Sequence, residues 1–261
     1  MMGFLPIASG DDPLSHVKDW VVAGPVTVHT IYATISALLC ITILPWVAQR
    51  IVQHGTGGRV AGLFEVILLF LRDEVARPFL GKEGDKYLPV LWSFFFFILF
   101  CNLLGLIPLP IAYTATSNLN VTIGLAVCSF CFYHAIGIKE NGLVHYLKAN
   151  LLVGPPFLWP LMILVEALGH ILKPAALAIR LFANMVAGHT VLAVLIGFAA
   201  AGVKLFADGG IGVVLGGGVT LASVAGSVAI YCLEIFIGFL QAFIFTFLTT
   251  VFLSMAVHPD H

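Results

Sequence analysis

The sequence predicts an all-α, polytopic membrane protein with about five membrane helices and one interfacial helix, the last two membrane helices being long, tilted and paired as an antiparallel hairpin. Three observations carry that expectation. The 261 residues are 60% hydrophobic and only 10% charged, too apolar for an ordinary soluble domain. Apolar stretches recur that reach the roughly 20 residues a helix needs to cross a bilayer. Basic residues gather in particular connections rather than along the whole chain, which is how membrane orientation is encoded. The net charge of −1 gives no basic surface for nucleic acid.

Each segment has its own reason. Residues 1–25 are expected to form an external arm, because MMGFLPIASGDD lacks the basic start and apolar core of a cleavable signal. Residues 26–49 read as the first transmembrane helix. Residues 50–87 then hold Arg50, Arg59, Arg72, Arg77, Lys82 and Lys86, half of the twelve basic residues, so this segment is expected in the cytoplasm with the N-terminus outside. Within it, Ala61 to Phe79 mixes apolar runs with Glu65, Arg72, Asp73, Glu74 and Arg77. Such a stretch is too charged to span and suits a helix lying at the interface. Residues 88–138 read as a transmembrane hairpin carrying Asn102, with the proline-rich PLPIAYTATSNLN as its external turn. Residues 139–156 form a cytoplasmic connection marked by Lys139, Glu140, Lys148 and the prolines of GPPFLWP.

Residues 157–257 form the long hairpin, and 258–261 a cytoplasmic tail. Its two apolar stretches flank a glycine-rich loop around Asp208, Gly209, Gly210 and Gly216, and each exceeds an upright span, which requires tilt. The hairpin also carries the intramembrane charges Glu166, Lys173, Arg180 and Glu234. Residues at one depth of an antiparallel pair have nearly constant index sums. By that rule Arg180 matches Gln241 at one level, and His189 matches Glu234 at a second level roughly 10 to 14 Å away along the axis. Glu166 and His170, one turn apart, make a third level on the other side, with Glu166 about 21 Å from Arg180. Asn184 shares a helical face with Arg180 and is placed to orient its guanidinium.

Arginine keeps its charge in a protein, so Arg180 can attract a carboxylate or repel a cation but cannot relay a proton. Glutamate and histidine can, and intramembrane chains of them mark proton paths. The pattern is that of two half-paths, one at His189 and Glu234 and one at Glu166 and His170, kept apart by a cation that blocks a direct leak. A structural salt bridge from Arg180 to either glutamate is the plainer alternative, and axial separations beyond about 10 Å count against it. Taken singly, His170 and His189 suit packing roles and Gln241 suits interhelical glue. Lys173 beside Pro174 is placed to snorkel toward the inner interface. His16, His29, His54, His134, His145, His258 and His261 show no partner pattern. Cys40, Cys101, Cys128, Cys131 and Cys232 lie in apolar runs, and the pair at 128 and 131, without a second ligand pair, predicts no metal site.

Two stretches, EALGHILKPAALAIRLFANMVAGHT and YCLEIFIGFLQAFIFTFLTTVFLSMA, resemble the subunit a family of rotary F-type ATP synthases, the membrane stator that faces a ring of c subunits. The Glu, Lys-Pro, Leu-x-x-Arg-Leu-Phe-x-Asn-Met order covers the hairpin, and weaker similarity runs through NLLGLIPLP and SNLNVTIGLAV. The resemblance implies that Arg180 faces a carboxylate carried on each c subunit, so no acid of this chain needs to pair with it. It also implies polar neighbours at Asn184 and Gln241, an acid of the cytoplasmic half-channel at Glu166, and an external half-channel at His189 and Glu234, which Asn102, Asn118 and Asn120 would line. Many bacterial members resemble this pattern with Glu and His exchanged between the last two positions, whereas the order here is similar to mitochondrial members and still keeps one acid and one imidazole.

The same resemblance implies peripheral-stalk b subunits as partners, near Ala61 to Phe79, the F1 sector indirectly, and the bilayer. It implies the bacterial inner (plasma) membrane with the C-terminus cytoplasmic, and neither cofactor nor metal. The chain has no GxxxxGK[ST] phosphate loop, so it is not expected to make ATP by itself. The competing reading is an ion-coupled secondary transporter in which Arg180 binds an anion at the midplane. The first half of the chain lacks a counterpart of the Arg180 segment, which counts against it. Sodium as the coupling ion stays open in the sequence, and the Glu and His pair favours protons.

Overall fold

The computed structural model describes residues 21–23, 26–54, 59–107, 114–151, 157, 159–207 and 209–257. Most of the expected N-terminal arm, the C-terminal tail, residues 108–113 of the proline-rich turn, prolines 155 and 156, and Asp208 lie outside the described residues. A short antiparallel ribbon, β1 (Val21–Ala23) and β2 (Val26–Thr27), pairs Val21 with Thr27 and leads directly into α1 (Val28–His54). Helix α2 (Arg59–Phe70) continues through a π-helical turn, Leu71–Ala76, into α3 (Arg77–Leu80). Pro78 follows directly on the π-helical turn, and as a proline it takes one backbone N–H out of the helical ladder there. A 3-10 stretch, Lys82–Tyr87, then precedes α4 (Leu88–Leu106).

Beyond it, a 3-10 turn at Ala115–Ser117 leads to α5 (Leu119–Asn141). The Asn118 side chain caps α5 by accepting the Asn120 N–H at 2.9 Å. Gly142, with φ of 76°, ends it in the left-handed region that favours glycine. Helix α6 (Leu143–Leu151) follows at once; the sequence reading had only a connection there. The chain ends in α7 (Trp159–Ala207) and α8 (Ile211–Val257). Five of these helices are long and apolar enough to cross a membrane, as the fold class requires. At 49 and 47 residues, α7 and α8 measure about 74 and 70 Å. A hydrocarbon core of about 30 Å cannot hold either of them upright.

Packing decides where the ends of these helices meet. Helices α7 and α8 lie antiparallel, α8 packs on α4 and α5, and α1 packs on α4. Phe95, Phe96, Leu71, Leu181 and Phe245 form the centre of the core. Near the loop joining α7 and α8, a Cβ on Gly202 would stand 2.9 Å from the Gly216 carbonyl, so the two backbones touch there as small residues allow. Large apolar side chains such as Leu38, Ile41, Leu221 and Phe236 face outward, the surface a lipid environment calls for.

One end of the bundle gathers the start of α1, the turn before α5 and the middle of α7. The opposite end gathers the ends of α5 and α8, where Asn141 Nδ2 donates to the carbonyls of Ala256 and Val257 at 3.0 and 3.2 Å. Those are carbonyls that a helix end leaves without intrahelical partners. At the same end Ser254 Oγ donates to the Phe79 carbonyl at 2.7 Å, and Lys86 pairs with Glu140 at 2.6 Å. Arg72, Asp73 and Arg77 of the α2–α3 segment form an ion-pair cluster at the surface, with Arg72 and Arg77 at 2.9 and 3.1 Å from Asp73. The Arg72 hydrogen bond, seconded by the charge of Arg77, holds the Asp73 carboxyl below its ordinary range.

Candidate functional site

Helix α7 sets the frame, because Glu166, His170, Arg180, Asn184 and His189 all lie along it. Arg180 is exposed at the surface of this chain, beside an outward-facing Ile179. It lines a shallow recess with Leu177, Leu181, Gln241, Ile244 and Phe245. The antiparallel packing of α7 and α8 thus puts Gln241, itself buried, at the level of Arg180. Among the described residues the ion pairs are Arg72 and Arg77 with Asp73, Arg77 with Asp85, Lys86 with Glu140, and His189 with Glu234. None of them involves Arg180. Asn184 is half-buried one turn beyond Arg180.

Glu234 alone is enclosed, at 2% exposure, while Glu166 and Lys173 are half-buried and Arg180 is exposed. The reason is packing: Glu234 is turned toward Gly188 and His189 of α7, whereas Arg180 lies at the surface of α7.

On the side of the α7–α8 loop, His189 Nδ1 stands 3.6 Å from Glu234 Oε1. Neither oxygen of Glu234 has a hydrogen-bond partner among the described residues. A Cβ on Gly188 would fall 2.5 Å from Glu234 Oε1, so glycine at that position is what lets the carboxyl reach α7. His189 Nε2 hydrogen-bonds to the Thr114 hydroxyl. Thr114 is in turn held through its carbonyl by His29 Nδ1 at 3.0 Å and by Ser117 Oγ at 2.7 Å.

Asn102 is fully enclosed. Its Nδ2 donates to the Gly238 carbonyl at 3.0 Å, and its Oδ1 accepts from Thr116 Oγ1 at 2.7 Å. It ties α4 to α8 and to the turn that carries Thr114. Asn118 is half-buried and serves as the α5 cap, and Asn120 is exposed.

On the other side of Arg180, His170 meets a residue the sequence reading left without a role. The rings of His134 and His170 have centroids 5.0 Å apart. His134 Nδ1 is hydrogen-bonded to Tyr146 Oη at 2.7 Å, and Lys173 holds its ammonium over the Phe252 ring at 5.5 Å. Sequence reasoning therefore missed Thr114, His29, Gly188, His134 and Tyr146. Only Gly188, directly before His189, carried a local signal, since a small residue beside a polar one marks a close approach. The others depend on how α5, α6 and the turn dock. Among the described residues no three His, Cys, Asp or Glu side chains converge as a metal ion requires, and Cys128 and Cys131 are free thiols at the surface.

Residues 30–254 match the family model described as "ATP synthase A chain". The chain is 41% identical over 246 residues to "ATP synthase subunit a" of Myxococcus xanthus, covering 90% of this chain and 76% of that one. It is 39% identical over 240 residues to the protein of that name in Chloroherpeton thalassium, covering 90% and 68%. With "ATP synthase subunit a 2" of Chlorobaculum tepidum the identity is 36% over 259 residues, covering 96% and 69%.

Proposed function

The chain belongs to the ATP synthase A chain family, and from that premise we propose that it is the proton-translocating stator of an F-type ATP synthase in a bacterial inner membrane. It is an integral membrane subunit, and the catalytic work of making ATP falls to other subunits. Its partners are a ring of c subunits and the peripheral-stalk b subunits, with the N-terminus outside and the C-terminus in the cytoplasm.

The observation that carries this reading is Arg180: a permanent cation exposed on a long apolar helix, with no ion pair among the described residues. An arginine at the centre of a membrane helix costs about 2.5 to 3.5 kcal/mol on insertion scales. A carboxylate presented by a neighbouring rotor offsets that cost, and the uncovered face of α7 is where a rotor would dock. Gln241 and Asn184 flank the guanidinium on the same face and would steady it.

Two titratable groups of residues lie on either side of Arg180 along α7. Protons enter from the outer side past Asn118, Glu234 and His189, and neutralise a rotor carboxylate, which then turns away into lipid. After nearly a full circle the carboxylate reaches the inner path near Glu166 and His170 and ionises there, favoured by the approach of Arg180. Asn102 and Asn120 belong to the outer side. Each charge crossing 100 mV releases about 2.3 kcal/mol, so several must pass for each ATP made. The test is ATP-driven acidification of inverted vesicles carrying the assembled complex with Arg180→Ala, alongside passive proton leak. Loss of pumping in an assembled complex is the expected result, and intact pumping would overturn the proposal.

A further inference from the structure

Three buried polar atoms without a hydrogen-bond partner among the described residues share one neighbourhood: His134 Nε2, His170 Nδ1 and Tyr133 Oη. Ring contacts bring them together, with centroids 5.0 Å apart for His134 and His170 and 4.5 Å apart for Tyr133 and His134. An unpaired buried donor or acceptor costs about 1 to 3 kcal/mol. Three such atoms on rings in mutual contact make a polar spot where a bridging water would find several partners.

The pair also has the properties a relay needs. His134 Nδ1 is bonded to Tyr146 Oη. When Nδ1–H donates, Nε2 is a bare acceptor, and when Oη–H donates, Nε2 carries the proton. Passing between these states through imidazolium moves a proton from one edge of the ring to the other. Burial pushes the Tyr146 hydroxyl up to about 12, so it stays protonated and supplies a hydrogen bond rather than a competing base.

The ionisable groups around the pair are Tyr133 on α5, Tyr146 on α6, and Glu166 and Lys173 on α7; α8 contributes the Phe252 ring under Lys173. Glu166 stands one turn before His170 and Lys173 nearly one turn after it. The cation of Lys173 disfavours two protonated imidazoles at once, so at most one excess proton crosses the pair at a time. Pro174 adds another polar group, because a proline there removes the N–H that the His170 carbonyl would accept.

We propose that His134 and His170, bridged by water, carry protons between Glu166 and the end of the bundle where α6 leaves α5. The inference rests on the proposed function and adds to it a path and two carriers. His170 releases a proton from Nδ1 to the bridging water, the water gives one to His134 Nε2, and the resulting imidazolium passes its Nδ1 proton to the Tyr146 oxygen as that hydroxyl gives its own proton to water at that end of the bundle. Only N–H and O–H bonds change.

The test is ATP-driven pumping by inverted vesicles carrying the assembled complex, followed from about pH 5 to about pH 8 so that ordinary imidazole titration is spanned. His134→Phe and His170→Phe are each expected to slow pumping about tenfold or more. The double variant is expected to be no slower than the slower single, because links in series fail together. Losses that multiply in the double variant would show two independent packing roles and overturn the relay. Where Phe prevents assembly, His134→Gln replaces it, keeping a hydrogen bond to Tyr146 without titrating; slow pumping supports the relay and normal pumping overturns it. Tyr146→Phe, which removes one hydroxyl, is expected to shift the pH of half-maximal pumping, and an unmoved profile overturns the relay. Arg180→Ala separates the two ideas. If it abolishes pumping while the histidine variants pump normally, the relay alone fails, and if Arg180→Ala pumps normally, the proposed function fails.

Discussion

The two groups of titratable residues that flank Arg180 differ in what holds their imidazoles. At His189 and Glu234 the geometry is tightly specified: a glycine admits the carboxyl to α7, a threonine hydroxyl orients the imidazole, and that threonine is itself held by His29 and Ser117. At His134 and His170 the rings meet at a tilt of 54°, and the buried His134 Nε2 and His170 Nδ1 have no hydrogen-bond partner among the described residues. Fixed partners set the orientation of the His189 ring, while an imidazole nitrogen without a protein partner is left to exchange protons with water.

The comparison can be broken from its specified side. Glu234→Gln keeps the size of the side chain and removes the acid, so pumping is expected to fall about a hundredfold, read by vesicle acidification. A variant that pumps normally would remove Glu234 from the path. Thr114→Val loses the hydroxyl on His189 and is expected to slow pumping about tenfold, with recovery in Thr114→Ser. Failure of serine to restore the rate would make the role of Thr114 one of packing.

Smaller effects sharpen it. Asn102→Ala leaves the Gly238 carbonyl and the Thr116 hydroxyl unpaired, and is expected to destabilise the purified complex by about 1 to 3 kcal/mol, read as a lower midpoint of thermal unfolding in detergent. The smallest effect is expected at Asp73, on the exposed segment. Its carboxyl is held below the ordinary value by Arg72 and then Arg77, so its contribution is present above the unfolded pKa and is lost as pH falls through the lower folded one. Asp73→Asn should therefore flatten the acid side of the stability profile slightly and change little at neutral pH. An acid limb as steep as in the unmodified chain would show that other carboxylates set it.

Much of the site could be read without coordinates because it lies on one antiparallel hairpin. Two straight helices joined by a short loop leave a single unknown, the register, and the loop supplies it. Index sums therefore put His189 beside Glu234 and Arg180 beside Gln241. In the structure the first two are 3.6 Å apart and the second two share a recess. No such rule reaches His134. Its approach to His170 depends on how α5 docks against α7, and on a helix, α6, that the sequence reading had as a plain connection. The same holds for Thr114, which lies in a non-helical turn whose path is set by Asn102, Thr116 and His29.

By itself, then, the sequence determined the class of the protein, its five membrane-crossing helices and the chemistry carried on the last two, because apolar length, charge placement and helical rise are local quantities. Tertiary structure decided exposure. Arg180 and Glu234 both sit in apolar helix, yet Arg180 faces outward and Glu234 is enclosed against Gly188 and His189 of α7. Which face is covered depends on contacts between residues far apart in the chain, and no local pattern encodes that.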